Sequence, residues 1–247
     1  MKQLLSSLAI VFLASFIPQR DFVSNQKKYE RVRTAYKEKE SLLQGQLKAI
    51  HLTLDNLNIL FVAYKSEKKL NVYAKNKTTS TYTLLSSYDI CASSGSIGPK
   101  RMQGDGQVPE GFYHIEKFNP NSSYYLSMGI NYPNTSDRKK STAKDLGGDI
   151  FIHGECVTIG CMPMTNDKIK ELYLLAVQAY QNGQQKIPVY IFPFQLTDSN
   201  FESRIAQYNS QPELIAFWKN LKKGHDLFHQ QLKEVAFTFD AEGNYRF

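Results

Sequence analysis

Gly148-Asp149-Ile150-Phe151-Ile152-His153-Gly154-Glu155-Cys156-Val157-Thr158-Ile159-Gly160-Cys161 is the stretch on which the reading of this 247-residue chain turns. Asp149 to His153 is an apolar, β-prone run after a Gly147-Gly148 turn, so it reads as a strand ending on a histidine. Cys161 follows eight residues later, far enough for the intervening loop to fold back and bring imidazole and thiol together. A cysteine attacks as its thiolate, which a neighbouring imidazole or a helix N-terminus favours. Both are within reach. Thr165 suits the cap of a helix whose apolar face is Ile169, Leu172, Leu175 or Ala176, and Ala179, closing at Asn182-Gly183. Gly160 lets main-chain amides approach a ligand closely, as an oxyanion site requires. The competing reading is a buried structural cysteine beside a strand-end histidine.

On either side the pattern is mostly β in the middle and helical at the ends. Ser24 to about Ile50 reads as an amphipathic helix. Asn58–Tyr64 and Leu70–Ala74 flank the polar turn Ser66–Lys69 as a hairpin, and Tyr82–Ile90 is a further strand. Gly111–Ile115, Tyr124–Met128 and Pro188–Phe192 continue the β pattern, while Asn131 to Gly148 reads as a polar, basic loop. Pro212 to about Leu221 and Asp226–Lys233 read as two helices. Val235–Asp240 and Asn244–Phe247 read as a closing hairpin. The fold class expected is mainly β (α+β).

Apolar residues make up 42% of the chain, enough for a packed core, which excludes wholesale disorder. The formal charge of +7 suits an anionic partner and selects none. Lys2 and the apolar run Leu4–Ile17 read as a secretory signal or N-terminal anchor over residues 1–17, too short for a comfortable membrane span. An exported domain is therefore expected, in the periplasm or cell envelope, with retention by an uncleaved signal as a variant of that reading.

Other chemistries fit less well. Zinc would need a fourth ligand such as His114 beside His153, Cys156 and Cys161. His153-x-Glu155 opens a zinc-deaminase signature that no later Pro-Cys-x-x-Cys completes. His225 and His229 lie on one helix face but lack the zincin glutamate. No Walker spacing, no Gly-x-Ser-x-Gly and no basic stripe for nucleic acid is present. No cofactor and no metal is expected.

Several motifs recur in a familiar order: Gly98-Pro99-Lys100-Arg101, Gly104-Asp105-Gly106-Gln107-Val108-Pro109-Glu110-Gly111-Phe112-Tyr113, Asn131-Tyr132-Pro133-Asn134, Asp137-Arg138, Gly148 to Gly154, and Ile159-Gly160-Cys161. Together they resemble the L,D-transpeptidase catalytic domain of the YkuD type, in its YafK-like branch. The resemblance covers residues 58–193 as a β-rich catalytic domain. Around it lie an N-terminal helical segment, 18–57, and a C-terminal helical extension with closing hairpin, 194–247.

The resemblance implies a cysteine enzyme acting outside the cytoplasm on peptidoglycan stem peptides at diaminopimelate, with a peptidoglycan-linked lipoprotein as a further candidate partner. It makes Cys161 the nucleophile, His153 its general base, and the amides of Ile159, Gly160 and Cys161 the oxyanion hole. A main-chain carbonyl is the expected orienter of the imidazole, since Gly154 follows it. Lys100, Arg101, Tyr125, Arg138 and Gly154 are candidate substrate-binding residues, with solvated loop charge or packing as the bland alternative. The wider family reads Ser-His-Gly-Cys followed by Arg or Asn. Here Thr158-Ile159-Gly160-Cys161 leads into Met162-Pro163-Met164, which leaves open whether bonds are joined or cut. Cys91 and Cys156 either pair, leaving Cys161 free, or stay as two buried thiols. The alternative function is a catalytically silent peptidoglycan-binding protein that keeps the fold.

Overall fold

The computed structural model describes residues 21–247; the signal or anchor expected at residues 1–17 lies outside them. The chain opens with α1 (Phe22–Gln26) and α2 (Glu30–Ala49). Val32, Ala35, Tyr36, Leu43 and Leu47 recur at helical spacing on α2 and form its buried stripe. The expected hairpin follows as β1 (Leu57–Tyr64) and β2 (Lys69–Asn76), with β3 (Thr83–Asp89) added to its edge. Next come β4 (Gly111–Ser122), β5 (Tyr125–Ile130), α3 (Thr135–Lys140), β6 (Phe151–His153), β7 (Met162–Pro163) and α4 (Asn166–Gln181). The chain closes with β8 (Ile187–Phe192), α5 (Asp198–Ile205), α6 (Pro212–Gln231) and the small hairpin β9 (Thr238–Phe239) and β10 (Tyr245–Arg246).

Eight strands make one sheet in the order β3-β2-β1-β8-β4-β5-β6-β7, a mixed α+β arrangement. β8 runs parallel to β1 and β7 parallel to β6; the other neighbours are antiparallel. All six residues of β8 are buried, because both faces of the sheet are covered. Side chains alternate between two cores as the period of a strand requires. On β1, Ile59, Phe61 and Ala63 join the core beneath α2 and α4, while Leu60, Val62 and Tyr64 join the core beneath α6 and the C-terminal hairpin.

Three helical features depart from the sequence reading. α3 lies inside the stretch expected to be loop, nucleated by a capping box between Asn134 and Asp137. α5 arises where no element was expected, with Thr197 as its cap. α6 is one helix across the stretch expected to hold two. Gly224 does not break it, since a side chain there would collide with the rings of Phe112 and Phe247.

The ends of the sheet meet. β3 and β7 are its outermost strands, yet the Cys91 amide just after β3 donates to the Pro163 carbonyl on β7 at 3.0 Å. A Cys91–Cys156 disulfide, with Cα atoms 5.4 Å apart, closes the same seam. Nearby, the fully buried Glu110 accepts from Trp218 Nε1 at 2.8 Å, from Lys65 Nζ at 2.9 Å and from the Gly98 amide at 2.8 Å. That carboxylate ties α6, β1 and the loop beyond Gly98 together.

The disulfide bridges residues 65 apart, and chain entropy for a loop of that size corresponds to roughly 4 kcal/mol. A Cys91→Ser, Cys156→Ser double variant is expected to lose about 2–4 kcal/mol in urea denaturation. An unchanged midpoint would mean that the bond restrains nothing.

Candidate active site

β6 delivers the histidine, and the register explains where it points. Ile152 pairs with Met162, and both lie in the core beneath α4. Phe151 and His153 therefore project from the other face of the sheet, the face that Cys161 also shares by alternation. Cys161 stands beside Phe151, whose amide donates to the sulfur at 3.4 Å. The main chain around His153 is held by the Gly154 amide donating to the Leu126 carbonyl and the Met164 amide donating to the His153 carbonyl.

The His153 ring is buried, 2% exposed, under the ring of Tyr124 at a centroid distance of 4.7 Å. Its Nδ1 lies 2.5 Å from the Gly154 carbonyl oxygen. A carbonyl only accepts, so Nδ1 carries the proton and the neutral ring keeps a lone pair on Nε2. Burial is the main cause that lowers the imidazole pKa below its ordinary 6.5, with the Gly154 carbonyl opposing. Burial also raises the Cys161 thiol above its ordinary 9.0; the Phe151 amide opposes this, and Asp149 adds to it. The thiol's own hydrogen bonds run to the Phe151 amide and, at 3.6 Å, to the Asp149 carbonyl, not to the imidazole. At rest the site therefore holds a neutral thiol and a neutral imidazole on one sheet face.

The loop from Gly154 to Gly160 is closely fixed. Glu155 has a positive φ of 63°, and its amide donates to Asn166 Oδ1 at 3.0 Å, at the start of α4. Cys156 is anchored by the disulfide, which removes it from the zinc set considered above. Thr158 then turns back on the chain. Its Oγ1 accepts from the amides of Gly160 at 3.1 Å and Cys161 at 2.8 Å, and donates to the Cys161 carbonyl at 2.9 Å. Two of the three amides expected to form an oxyanion hole thus face the Thr158 hydroxyl. The Ile159 amide has no hydrogen bond among the described residues, and its side chain is 88% exposed.

Cys161 opens onto a cleft of about 180 Å³ walled by Lys65, Lys68, the Ser93–Ser96 loop, Ile97 and Val108. None of the residues expected to bind substrate lines this cleft, although the Lys100 charge is near enough to the Cys161 thiol to oppose the rise in its pKa. Lys100 is buried, donating to Asp105 Oδ1 and to the Met102 carbonyl, both at 2.8 Å. Arg101 donates to Asp137 Oδ1 at 3.1 Å and lies over the Phe217 ring. Asp137 is 1% exposed, and burial pushes its carboxyl up to about 6. Arg138 is exposed on α3 and lines a different groove. Tyr125 sits under Arg31, which donates to its carbonyl at 2.7 Å. Gly154 is buried, and a Cβ there would meet Asn166 Oδ1 and the Tyr124 carbonyl, so its smallness serves packing. Sequence reasoning passed over Tyr124, Thr158, Lys65 and Lys68. Only Thr158, a hydroxyl two and three residues before the amides it accepts from, carried a local signal. His225 and His229, weighed above as metal ligands, both face the Tyr64 hydroxyl, at 3.5 and 2.8 Å.

Comparison with known proteins adds the following. Residues 58–191 match the family model for the L,D-transpeptidase catalytic domain, YkuD. The chain is 40% identical over 172 residues to YafK of Escherichia coli (strain K12), itself only provisionally named an L,D-transpeptidase; the match covers 69% of this chain and 66% of YafK. The YafK protein of Escherichia coli O157:H7 matches to the same extent. The chain thus spans slightly under two thirds of the length of these relatives. Among solved structures, the helical cell shape determining protein Pgp2 from Campylobacter jejuni is similar at 20% identity and a TM-score of 0.44, covering 74% of each chain. L,D-transpeptidase 1 of Mycobacterium tuberculosis is similar at 15% identity and a TM-score of 0.30, covering 55% of this chain and 62% of that one.

The neutral resting pair has a measurable consequence. Iodoacetamide alkylates the thiolate, so a thiol pKa raised by burial shifts the alkylation profile of Cys161 upward. The rate is expected to climb with a midpoint above 9.0 in the free protein. A plateau reached near neutrality would instead reveal a preformed thiolate–imidazolium pair.

Proposed function

This chain belongs to the L,D-transpeptidase catalytic domain (YkuD) family, and on that premise we propose that it is an exported cysteine acyl-transfer enzyme acting on peptidoglycan stem peptides at diaminopimelate. Cys161 is the nucleophile and His153 its general base. The observation that carries the reading is the short contact of His153 Nδ1 with the Gly154 carbonyl, which leaves Nε2 as a fixed proton acceptor on the sheet face that bears Cys161.

Because both groups are neutral at rest, the thiol proton passes to Nε2 as sulfur approaches the carbonyl carbon at the L-centre of diaminopimelate. The C–S bond forms and the carbonyl π pair moves onto oxygen. The Ile159 amide meets that oxygen, and the Gly160 and Cys161 amides join it once the Thr158 hydroxyl rotates away. The imidazolium then protonates the departing amine as the C–N bond breaks, leaving a thioester on Cys161. An incoming amine gives a new cross-link or protein attachment; water gives hydrolysis. The narrow cleft beside Cys161, lined by Ala63, Ile90, Ile97, Val108 and Met162 with Lys68 and the serine loop on its wall, suits a peptide segment that presents an apolar side as well as a polar one.

The test is incubation with purified muropeptides followed by mass spectrometry of both substrate and protein. The expected result is a thioester adduct on Cys161 together with a joined or cleaved product. Cys161→Ala is expected to abolish both, and His153→Ala to slow acylation by about 10²- to 10⁴-fold, the usual weight of general acid–base catalysis. A chain that binds muropeptides with no adduct and no product would be a silent wall-binding protein instead.

A further inference from the structure

Two tyrosines follow each other at the turn between β4 and β5, and they have different partners. Tyr124 lies on the His153 ring, at a centroid distance of 4.7 Å and an interplanar angle of 36°. Tyr125 lies instead beside Arg31 of α2, whose guanidinium carbon is 5.5 Å from its ring centre. Tyr125 takes a left-handed φ of 69°, a conformation that costs a non-glycine residue and persists only where its surroundings hold it. Arg31 supplies the hold. Its Nη1 donates to the Ser122 carbonyl at 2.6 Å and to the Tyr125 carbonyl at 2.7 Å, so one guanidinium bridges both ends of the turn. Within the turn, the Tyr124 amide donates to Ser122 Oγ at 3.1 Å. α2 is itself fixed by its buried stripe and by Lys39, which reaches Glu171 of α4 at 3.3 Å. Arg31 nevertheless lies outside residues 58–191, the part of the chain that matches the family model.

Tyr124 is 44% exposed and His153 only 2%, so the phenol ring is a layer between the imidazole and solvent. A ring laid against the face of an imidazole hinders its rotation and leaves the in-plane lone pair of Nε2 free. The Nδ1 contact with the Gly154 carbonyl fixes the tautomer, and the stack adds a restraint on the plane. The Tyr124 hydroxyl has no hydrogen bond among the described residues, so the ring and not the oxygen carries the contact.

We propose that Arg31 and Tyr124 are positioning residues for the general base: Arg31 pins the turn, and Tyr124, set by that turn, holds the His153 ring in the plane from which Nε2 accepts the thiol proton. The proposal rests on the function given above, in which His153 is the base. It makes the N-terminal helix part of the catalytic apparatus, although that helix contributes no reacting group.

Two measurements on the full chain test it. The first is NMR of the histidine-labelled protein, with the His153 ring signal identified by its loss in His153→Gln. Tyr124→Ala, a change at an exposed position, is expected to move that signal downfield, because the shielding by the stacked ring is gone. It is also expected to raise the titration midpoint toward 6.5, because burial is relieved. Glu155, the charged neighbour of the imidazole, and the neutral Cys161 thiol are the same in every variant, so the movement reports the lost ring. The second measurement is muropeptide turnover against pH. Tyr124→Ala is expected to lose about 10²-fold in kcat, the cost of a misplaced group, with KM little changed. Its acid limb is expected at higher pH, since a base of raised pKa is already protonated where the native one is not. Tyr124→Phe keeps the ring and is expected to restore both the signal and the profile. Arg31→Gln leaves Tyr124 in place but unpins the turn, and is expected to give the Tyr124→Ala signature in weaker form. An unmoved His153 signal in Tyr124→Ala, or an equal loss in Tyr124→Phe, would overturn the proposal. A native signature in Arg31→Gln would overturn the part assigned to α2. A His153 signal that Tyr124→Ala moves, in a protein that forms no acyl adduct, would keep the clamp and discard the acyl-transfer chemistry.

Discussion

Parallel neighbours usually need a crossover of a dozen or more residues, yet β6 and β7 are parallel and joined by the eight residues from Gly154 to Cys161. So short a link must reverse the chain twice, and the residues within it are fixed accordingly. Glu155 takes a left-handed conformation that costs a non-glycine residue, and Gly160 takes a φ of 137° against the Gln107 carbonyl. Asn166 receives the Glu155 amide, the disulfide holds Cys156, and Thr158 folds the final turn onto itself. What results is a histidine at one end and a cysteine at the other, on one face, with little freedom between them.

Burial sets the electrostatic character of that pair. The sheet face around His153 and Cys161 disfavours charge on either group, so the imidazole is lowered and the thiol raised. A protonated sulfur reacts slowly with adventitious electrophiles, and the proton on Nδ1 leaves Nε2 as the acceptor nitrogen of the ring. The cations nearest in sequence to the motif loops neutralise internal carboxylates: Lys100 with Asp105, and Arg101 with Asp137. Their role is to hold the loop that borders Gly160, through Gln107, in place.

Local chemistry made much of this legible. The β1–β2 hairpin, the helix behind Thr165 and the closing hairpin followed from alternation, a cap and a turn, all of them short-range signals. α3 escaped because its six residues carry no apolar stripe; its stability comes from the capping box and from Asp137 accepting from Tyr113 and Arg101, contacts remote in sequence. α6 reads as two helices, ending near Leu221 and restarting at Asp226, whereas the structure runs through the gap as one helix whose Gly224 lies against the rings of Phe112 and Phe247, contacts remote in sequence. Tyr125 was expected at the cleft and Tyr124 packs on the histidine instead. A positive φ at Tyr125 and a register shift in the β4–β5 hairpin change which side chain faces it, and neither can be read from a string of residue types.

The same seam that closes the sheet carries a chemical hazard. Three sulfurs admit three one-bridge isomers, and the native one leaves Cys161 reduced. Oxidation before β3 and β7 have met would favour the partners nearest in sequence, Cys156 and Cys161, and would consume the free thiol of Cys161. The observed bridge thus joins sulfurs that only the closed sheet brings together, whereas a Cys156–Cys161 bridge would need no sheet closure at all.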